Sequence, residues 1–133
     1  MAGCGESGPF DLVPVHGRVT YSDGSPIKSD QLVVKFVPQA IQMQGKVAPR
    51  SATTYVDVAD GTFSDLTTWK YGDGVIVGRH KVVVLALSGA GPNAGNPTKA
   101  VPTRYHRADT TPLEVEVAAG GENDFSLKIE RGG

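Results

Sequence analysis

Cys4 is the only cysteine in the chain, and the residues before it indicate a lipid-modified thiol. The signal peptidase that cleaves before a lipidated cysteine requires small side chains at the two preceding positions, which here are Ala2 and Gly3. We therefore expect a natural chain that begins at Cys4, exported and lipid-anchored to the bacterial cell envelope, with residues 1–12 as the tether segment. The alternative is an ordinary cysteine in a frayed N-terminal tail.

The groups that most often perform catalysis are dispersed along the chain. His16, His80 and His106 stand on different predicted elements, and no His-Glu-x-x-His pattern places two histidines on one helix face. The serine of Gly-Glu-Ser-Gly, residues 5–8, lacks the spacing of a nucleophile elbow. We therefore expect each histidine to be a surface or hydrogen-bonded residue, and we predict no catalytic residue, no metal site and no cofactor.

Asp57 and Asp60 are close enough in sequence to suggest a calcium-binding loop. A complete calcium site needs six or more oxygen ligands, which these two residues do not supply. The dipeptide Asp60-Gly61 is also explained without a metal, because both residues tolerate the positive φ angles of a two-residue hairpin turn. A turn is therefore the preferred interpretation.

Two groups of side chains are suited to binding. Trp69 and Tyr71 lie in a segment rich in Gly and Asp, and exposed aromatic rings in a loop can stack on sugars or partner proteins. Arg104, Tyr105 and His106 supply hydrogen-bond donors on another connection. The competing interpretation is that Trp69 caps one end of the core and that Tyr105 packs beneath its loop.

Composition narrows the class of protein that can carry these residues. A chain of 133 residues forms one domain that buries roughly two thirds of its unfolded surface. A single cysteine excludes a disulfide scaffold. The formal charge of −1, from 13 basic and 14 acidic residues, provides no field to attract nucleic acid or an anionic membrane surface. With 17 Gly and 9 Pro, strands joined by tight turns are favoured.

Alternation of apolar and polar residues predicts seven β-strands. The fifth, residues 79–87, is apolar on both faces from Val82 onward and should be a central strand covered on both sides. Seven short strands separated by turns favour an all-β sandwich of Greek-key type. The predicted strands are 13–21, 31–38, 53–58, 62–66, 79–87, 113–117 and 125–129.

The connections and the core follow from this pattern. Strands 53–58 and 62–66 should form a hairpin through Asp60-Gly61. Helical structure should be limited to one short turn within residues 101–107, with Pro102 as its first helical residue. The core between the two sheets should contain Val34, Phe36, Val82, Val84, Val115 and Phe125.

Five segments, taken in order, carry a resemblance to a known family. Residues 15–21 read Val-His-Gly-Arg-Val-Thr-Tyr and are followed by Asp-Gly-Ser-Pro-Ile at 23–27; residues 57–63 read Asp-Val-Ala-Asp-Gly-Thr-Phe, and residues 78–84 read Gly-Arg-His-Lys-Val-Val-Val. These segments resemble the signatures of carboxypeptidase regulatory-like domains of the transthyretin, or prealbumin, type. Residues 101–105 and 110–113 resemble the distal part of small bacterial lipoproteins built on that domain. One departure is His80, where the family usually places an inward-facing aromatic residue.

This resemblance implies a prealbumin-like sandwich over residues 13–131 that is not an enzyme. Its expected role is a binding or spacer module for an envelope protein or wall polysaccharide, held to the membrane only by its lipid anchor. The alternative is a small-molecule hydrolase similar to 5-hydroxyisourate hydrolase, which shares the transthyretin fold and ends in Tyr-Arg-Gly-Ser. Residues 130–133 read Glu-Arg-Gly-Gly, without the tyrosine or the terminal hydroxyl. A pocket with at least two converging titratable side chains would favour the hydrolase, whereas a flat or aromatic-lined surface would favour binding.

Overall fold

The computed structural model describes residues 10–39, 41, 45–89, 95–120 and 123–130. Cys4 lies outside the described residues, as does most of the predicted tether.

Helical structure within the described ranges is one 3₁₀ turn, Thr103–His106, which confirms the short turn predicted within residues 101–107. Pro102 precedes this turn as its N-cap and is not its first helical residue. The strands in the described ranges are β1 (Leu12–Val13), β2 (His16–Tyr21), β3 (Gln31–Pro38), β4 (Ala52–Val56), β5 (Thr62–Phe63), β6 (Val75–Ile76), β7 (Gly78–Leu87), β8 (Glu114–Val117) and β9 (Asp124–Ile129).

The strands form a sandwich-like all-β fold. A four-stranded antiparallel sheet has the order β4-β3-β7-β8, and a three-stranded sheet has the order β5-β2-β9. Within the smaller sheet β2 is antiparallel to β5 and parallel to β9. Strands β1 and β6 form a separate two-stranded ribbon. Each predicted strand has a counterpart in the two larger sheets, and the ribbon adds two short strands that the alternation did not predict.

The core contains the residues that alternation placed there, with two of them at its margin. Val34, Phe36, Val82 and Val84 are completely buried, whereas Val115 and Phe125 are partly buried and pack against the core. Strand β7 lies between β3 and β8, as expected of a central strand. Its outer face is only partly covered, since Val83 is buried but Leu85 is half-buried.

The predicted hairpin through Asp60-Gly61 is wrong. Strand β4 pairs with β3 and strand β5 pairs with β2, so the chain crosses from one sheet to the other between them. The Gly61 amide donates to the Asp57 carbonyl over 2.7 Å, and Gly61 has a φ of 79°. A Cβ at position 61 would lie 2.5 Å from the Val19 carbonyl oxygen. Glycine is needed here because the crossing passes close to β2, and an Asp-Gly dipeptide alone does not distinguish this crossing from a hairpin turn.

Phe10, the first described residue, lies within the predicted tether segment. Phe10 is buried and stacks on Trp69, with 5.8 Å between ring centroids and 14° between ring planes. Leu12 pairs with Ile76 in the short ribbon. The residue that precedes β6, Gly74, must be glycine. Its φ is 105°, and the Val13 backbone lies so close that a side chain would not fit. No helix in the described ranges is long and apolar enough to cross a membrane.

Candidate functional site

The five predicted binding residues divide between two ends of the smaller sheet. Strands β2 and β9 run parallel, with His16 opposite Asp124 at one end and Tyr21 opposite Ile129 at the other. At about 3.3 Å per residue these ends are roughly 17 Å apart. Arg104, Tyr105 and His106 belong to the far end, because Arg104 and Tyr105 bond to the backbone of Glu130, just after β9. The structure therefore does not bring the two predicted groups into one site.

The Arg104 group supports the fold through contacts within the protein. Tyr105 is 1% exposed, and its hydroxyl accepts a hydrogen bond from the Glu130 amide over 2.9 Å. The Arg104 guanidinium lies over the Tyr105 ring at 4.9 Å and donates to the Glu130 carbonyl. His106 Nε2 lies 3.0 Å from the Val101 carbonyl oxygen, to which it donates. Tyr105 thus packs beneath its connection and offers a ligand almost no surface.

Trp69 is half-buried and has intramolecular partners. One is the stacked ring of Phe10, and another is the Arg50 guanidinium, 5.7 Å from the Trp69 ring centroid. A cation at this distance is attracted by the negative face of the indole. Trp69 therefore closes one end of the sandwich while part of its ring remains accessible.

Tyr71 lies on a turn that is organised by one carboxylate. Asp73 accepts hydrogen bonds from three successive backbone amides, those of residues 68–70, over 2.7 to 3.0 Å. The Thr67 hydroxyl accepts a further bond from the Gly72 amide, and Gly72 has a φ of 71°. These bonds hold the backbone while the Tyr71 side chain remains 88% exposed. Asp73 is therefore a structural group and not a free charge for recognition.

Tyr71 borders a groove at the edge of the sandwich where β4 and β5 separate. The groove has a volume of about 720 Å³. Tyr55, on edge strand β4, is 67% exposed and lines it as well. The remaining lining residues come from β2, β4, β5 and the segments that follow β4 and β5: His16, Gly17, Thr54, Asp57, Thr62, Phe63, Ser64 and Asp65.

The base of the groove depends on a glycine. Gly17 is buried on β2, opposite Phe63 on β5 and Phe125 on β9. A Cβ at position 17 would overlap the Phe125 carbonyl oxygen and lie 2.8 Å from Phe63 Cζ. The absence of a side chain lets the Phe63 ring pack over the β2 backbone. The groove is thus supported directly by the aromatic part of the core.

Comparison with known proteins gives no information about the groove. No family model, curated protein or solved structure matches this chain. The resemblance to carboxypeptidase regulatory-like domains stays a prediction, based on the order of its motifs. The lining residues of the groove are therefore the basis for a functional assignment.

Tyr55 and Asp65 were not among the residues singled out from the sequence. A signal for Tyr55 was present, because strand periodicity places it on the same face as Thr53 and Asp57, which are polar and exposed. Asp65 has a left-handed backbone conformation with a φ of 57°, which aspartate tolerates better than most residues. Nothing in the sequence around Asp65 indicates that this conformation places it at a groove.

His16 contacts a carboxylate but no nucleophile. Its Nδ1 lies 3.7 Å from Asp124 Oδ1, and both side chains are about half exposed. Ser126 lines a smaller depression beside them, yet within the described ranges no hydrogen bond joins Ser126 to His16. Covalent catalysis by a serine requires that contact, so Ser126 and His16 do not form the nucleophile–base pair of a serine hydrolase. The described residues also contain no group of three or more His, Cys, Asp or Glu side chains suited to holding a metal ion.

His80 is completely buried behind the groove, at the position where the resemblance expected an aromatic residue. Its ring centroid lies 6.1 Å from that of Phe36. Nδ1 lies 3.1 Å from the Gly78 carbonyl oxygen, which accepts a hydrogen bond from it, and Nε2 has no hydrogen-bond partner among the described residues. Burial lowers the pKa of His80, although the Gly78 carbonyl and the charge of Glu116 oppose this shift. His80 is therefore a neutral core residue at neutral pH.

Proposed function

We propose that this chain is a non-enzymatic lipoprotein of the bacterial cell envelope whose β-sandwich binds wall polysaccharide in the groove bordered by Tyr55 and Tyr71. The domain is of the carboxypeptidase regulatory-like type, with a prealbumin-like Greek-key arrangement. It is exported and attached to the membrane through a lipid on Cys4. Sugar binding at the groove is the function that the exposed side chains support best.

The observation that carries this proposal is the exposure of two tyrosines at one groove. Tyr55 and Tyr71 are 67% and 88% exposed, although aromatic side chains are usually buried in large part. Their ring faces can stack on sugar rings, and their hydroxyls can bond to sugar hydroxyls. Thr54, Thr62 and Ser64 add hydroxyl groups to the same lining.

The groove also contains His16, Asp57 and Asp65, which are titratable groups of the kind that the hydrolase alternative requires, so the proposal of binding rests on the exposed tyrosines. His16 Nδ1 lies 3.7 Å from Asp124 Oδ1, and its lining neighbours Asp57 and Asp65 make no ion pair with it in the described part of the chain. A general base must reach the proton that it abstracts, directly or through one water molecule, so His16 would need a substrate or water held beside it. The lining combines two exposed aromatic rings with hydroxyl groups and two carboxylates, a combination suited to contact with a polar ligand.

The attachment proposed at Cys4 is compatible with the start of the folded domain. Cys4 precedes the buried Phe10 by six positions. Six extended residues span at most about 20 Å, so a lipid on Cys4 would hold the sandwich close to the membrane surface. Two acyl signals are sufficient for stable anchoring without a transmembrane helix.

Sedimentation with insoluble cell-wall polysaccharide tests the binding proposal. The double variant Tyr55→Ala/Tyr71→Ala should lose at least about tenfold in affinity, corresponding to roughly 1.4 kcal/mol. Val47→Ala is a matched control, since Val47 is an exposed apolar residue that does not line the groove. Equal sedimentation of wild type and the double variant would refute the groove as the binding site.

Mass spectrometry tests the anchor separately. The protein expressed with a lipoprotein leader should carry acyl chains on Cys4, and a Cys4→Ser variant should carry no acyl chain and should retain its leader, because the peptidase cleaves before a lipidated cysteine. A wild-type product that is soluble and unmodified would contradict the lipoprotein assignment without affecting the binding test.

A further inference from the structure

The groove that lies between Tyr55 and Tyr71 has an unbalanced charge. Its lining includes the carboxylates of Asp57 and Asp65 but, among the described lining residues, no lysine or arginine. Within the described ranges neither carboxylate has a cationic side chain within ion-pair distance. The nearest titratable base in the lining is His16, whose contact is with Asp124 instead.

Asp57 and Asp65 differ from two neighbouring aspartates, Asp60 and Asp73, whose carboxylates accept several hydrogen bonds within the protein. Asp73 accepts three backbone amides. Asp60 accepts both the amide and the hydroxyl of Thr62, over 3.0 and 2.7 Å, and these bonds lower its pKa. Both groups are therefore used to shape turns.

By comparison, the two groove carboxylates make few contacts. One oxygen of Asp57 accepts the Ala59 amide over 2.9 Å, and one oxygen of Asp65 lies 3.5 Å from the Ser64 hydroxyl. An ionised carboxylate has about four acceptor positions, so each retains capacity for a ligand. Their charges are thus available at the same groove as the tyrosine rings.

We propose that the groove prefers glycans with free, protonated amino groups, such as unacetylated hexosamine units, over neutral and acidic glycans. This inference rests on the proposed function and specifies its ligand. An ammonium group donates charge-assisted hydrogen bonds to Asp57 and Asp65 and is attracted by the faces of Tyr55 and Tyr71. Acidic polymers are repelled by the same carboxylates. Acetylation removes the charge and therefore removes this preference.

Isothermal titration calorimetry with two defined probes tests the preference. One probe is a short oligosaccharide of glucosamine, and the other is the same oligosaccharide fully N-acetylated. At low salt and a mildly acidic pH, where the glucosamine amino groups are protonated and aspartates remain ionised, the wild-type domain should bind the glucosamine oligomer about tenfold more tightly. The difference should shrink as salt is added, because exposed charges are screened.

Two conservative substitutions assign the preference to the carboxylates. Asp57→Asn retains an oxygen that can accept the Ala59 amide, and Asp65→Asn retains a residue that tolerates a positive φ. The double variant should bind both oligomers with similar affinity. Glu130→Gln is the matched control, because Glu130 is an exposed acid at the opposite end of β9 and should leave the tenfold preference unchanged.

The outcomes separate this inference from the function on which it rests. If both oligomers bind equally to the wild type, and binding is lost in Tyr55→Ala/Tyr71→Ala, glycan binding stands and the preference for amino groups is refuted. A preference that survives Asp57→Asn/Asp65→Asn also refutes it. If neither oligomer binds, both proposals are wrong for this class of glycan, and a groove that binds only a protein partner is then favoured.

Discussion

The core and the rim of the groove use aromatic residues in opposite ways, although they are separated only by Phe63 and the β2 backbone. Inside, Phe36 lies 6.2 Å from Phe63 and 6.1 Å from Phe125, with tilted rings. Outside, Tyr55 and Tyr71 are largely exposed. The inner cluster is made of rings without hydroxyls, and the outer pair consists of rings with them.

This difference separates what stabilises the fold from what is available for binding. Buried rings contribute through lost water contact and close packing, and tilted aromatic pairs add to this. An exposed tyrosine contributes little of either. Under the proposed function, the exposed tyrosines of the groove therefore serve contact with a ligand and not stability. The comparison is testable because each region can be altered without touching the other.

The largest effect is expected from the centre of the inner cluster. Phe36→Ala should lower the free energy of unfolding by about 3 to 5 kcal/mol, because it removes a fully buried ring and leaves a cavity among Phe63, Phe125 and His80. Equilibrium denaturation in urea measures the change. A loss below about 1 kcal/mol would mean that the core does not depend on this cluster.

The second prediction concerns the glycine between the two regions. Gly17→Ala should destabilise the domain by about 1 to 3 kcal/mol, because the new Cβ would overlap the Phe125 carbonyl and crowd the Phe63 ring. Gly120→Ala is the control, since no atom lies within 4 Å of a Cβ at that position. Similar midpoints of thermal unfolding for the two variants would contradict the close approach of β2 to the core.

Much of the inner region could be predicted from the sequence, because burial in a strand has a local signature. Alternation with period two identified Val34, Phe36, Val82 and Val84 as core residues, and all four are completely buried. Which strands pair with each other was harder to predict from the sequence. Asp60-Gly61 satisfies the local requirements of a hairpin, but β4 and β5 join different sheets, and this choice depends on contacts distant in sequence.

The outer region was predicted only in part, for a related physical reason. Trp69 and Tyr71 were recognised as aromatic residues in a polar segment, but Trp69 is partly covered by Phe10, which lies far away in the sequence. Tyr55 and Asp65 reach the groove only because β4 and β5 diverge there. Arg104 and His106 were candidates on another connection, and the parallel register of β2 and β9 places that connection at the far end of the sheet.

The third prediction uses the one polar ring of the inner cluster. Since the folded-state pKa of His80 lies below that of the unfolded chain, the unfolded chain binds a proton first as the pH falls. Stability from this group is therefore complete above the unfolded pKa, near 6.5, and declines below it until the folded pKa is reached. The slope contributed by one group is at most about 1.4 kcal/mol per pH unit.

Urea denaturation of wild type and His80→Phe at several pH values isolates this contribution. The variant places an apolar ring beside Phe36 and removes the unpartnered Nε2. It should show a smaller decline in stability below the unfolded pKa, whereas His16 and His106 remain in both proteins as internal controls. Parallel curves for the two proteins would show that His80 is not buried in its neutral form.

The smallest effect on stability is expected for Tyr71 at the rim of the groove. The size of this effect determines how a loss of glycan binding is interpreted. Tyr71 is 88% exposed and its turn is held by Asp73, so Tyr71→Ala should change the free energy of unfolding by less than about 0.5 kcal/mol. Trp69 fluorescence should also be unchanged, because the indole stacks on Phe10 and not on Tyr71. A loss above about 1 kcal/mol, or a red-shifted emission, would show that Tyr71 supports the fold. If neither occurs, lost glycan binding in the tyrosine variants reports a lost contact with the ligand, since the groove itself remains intact.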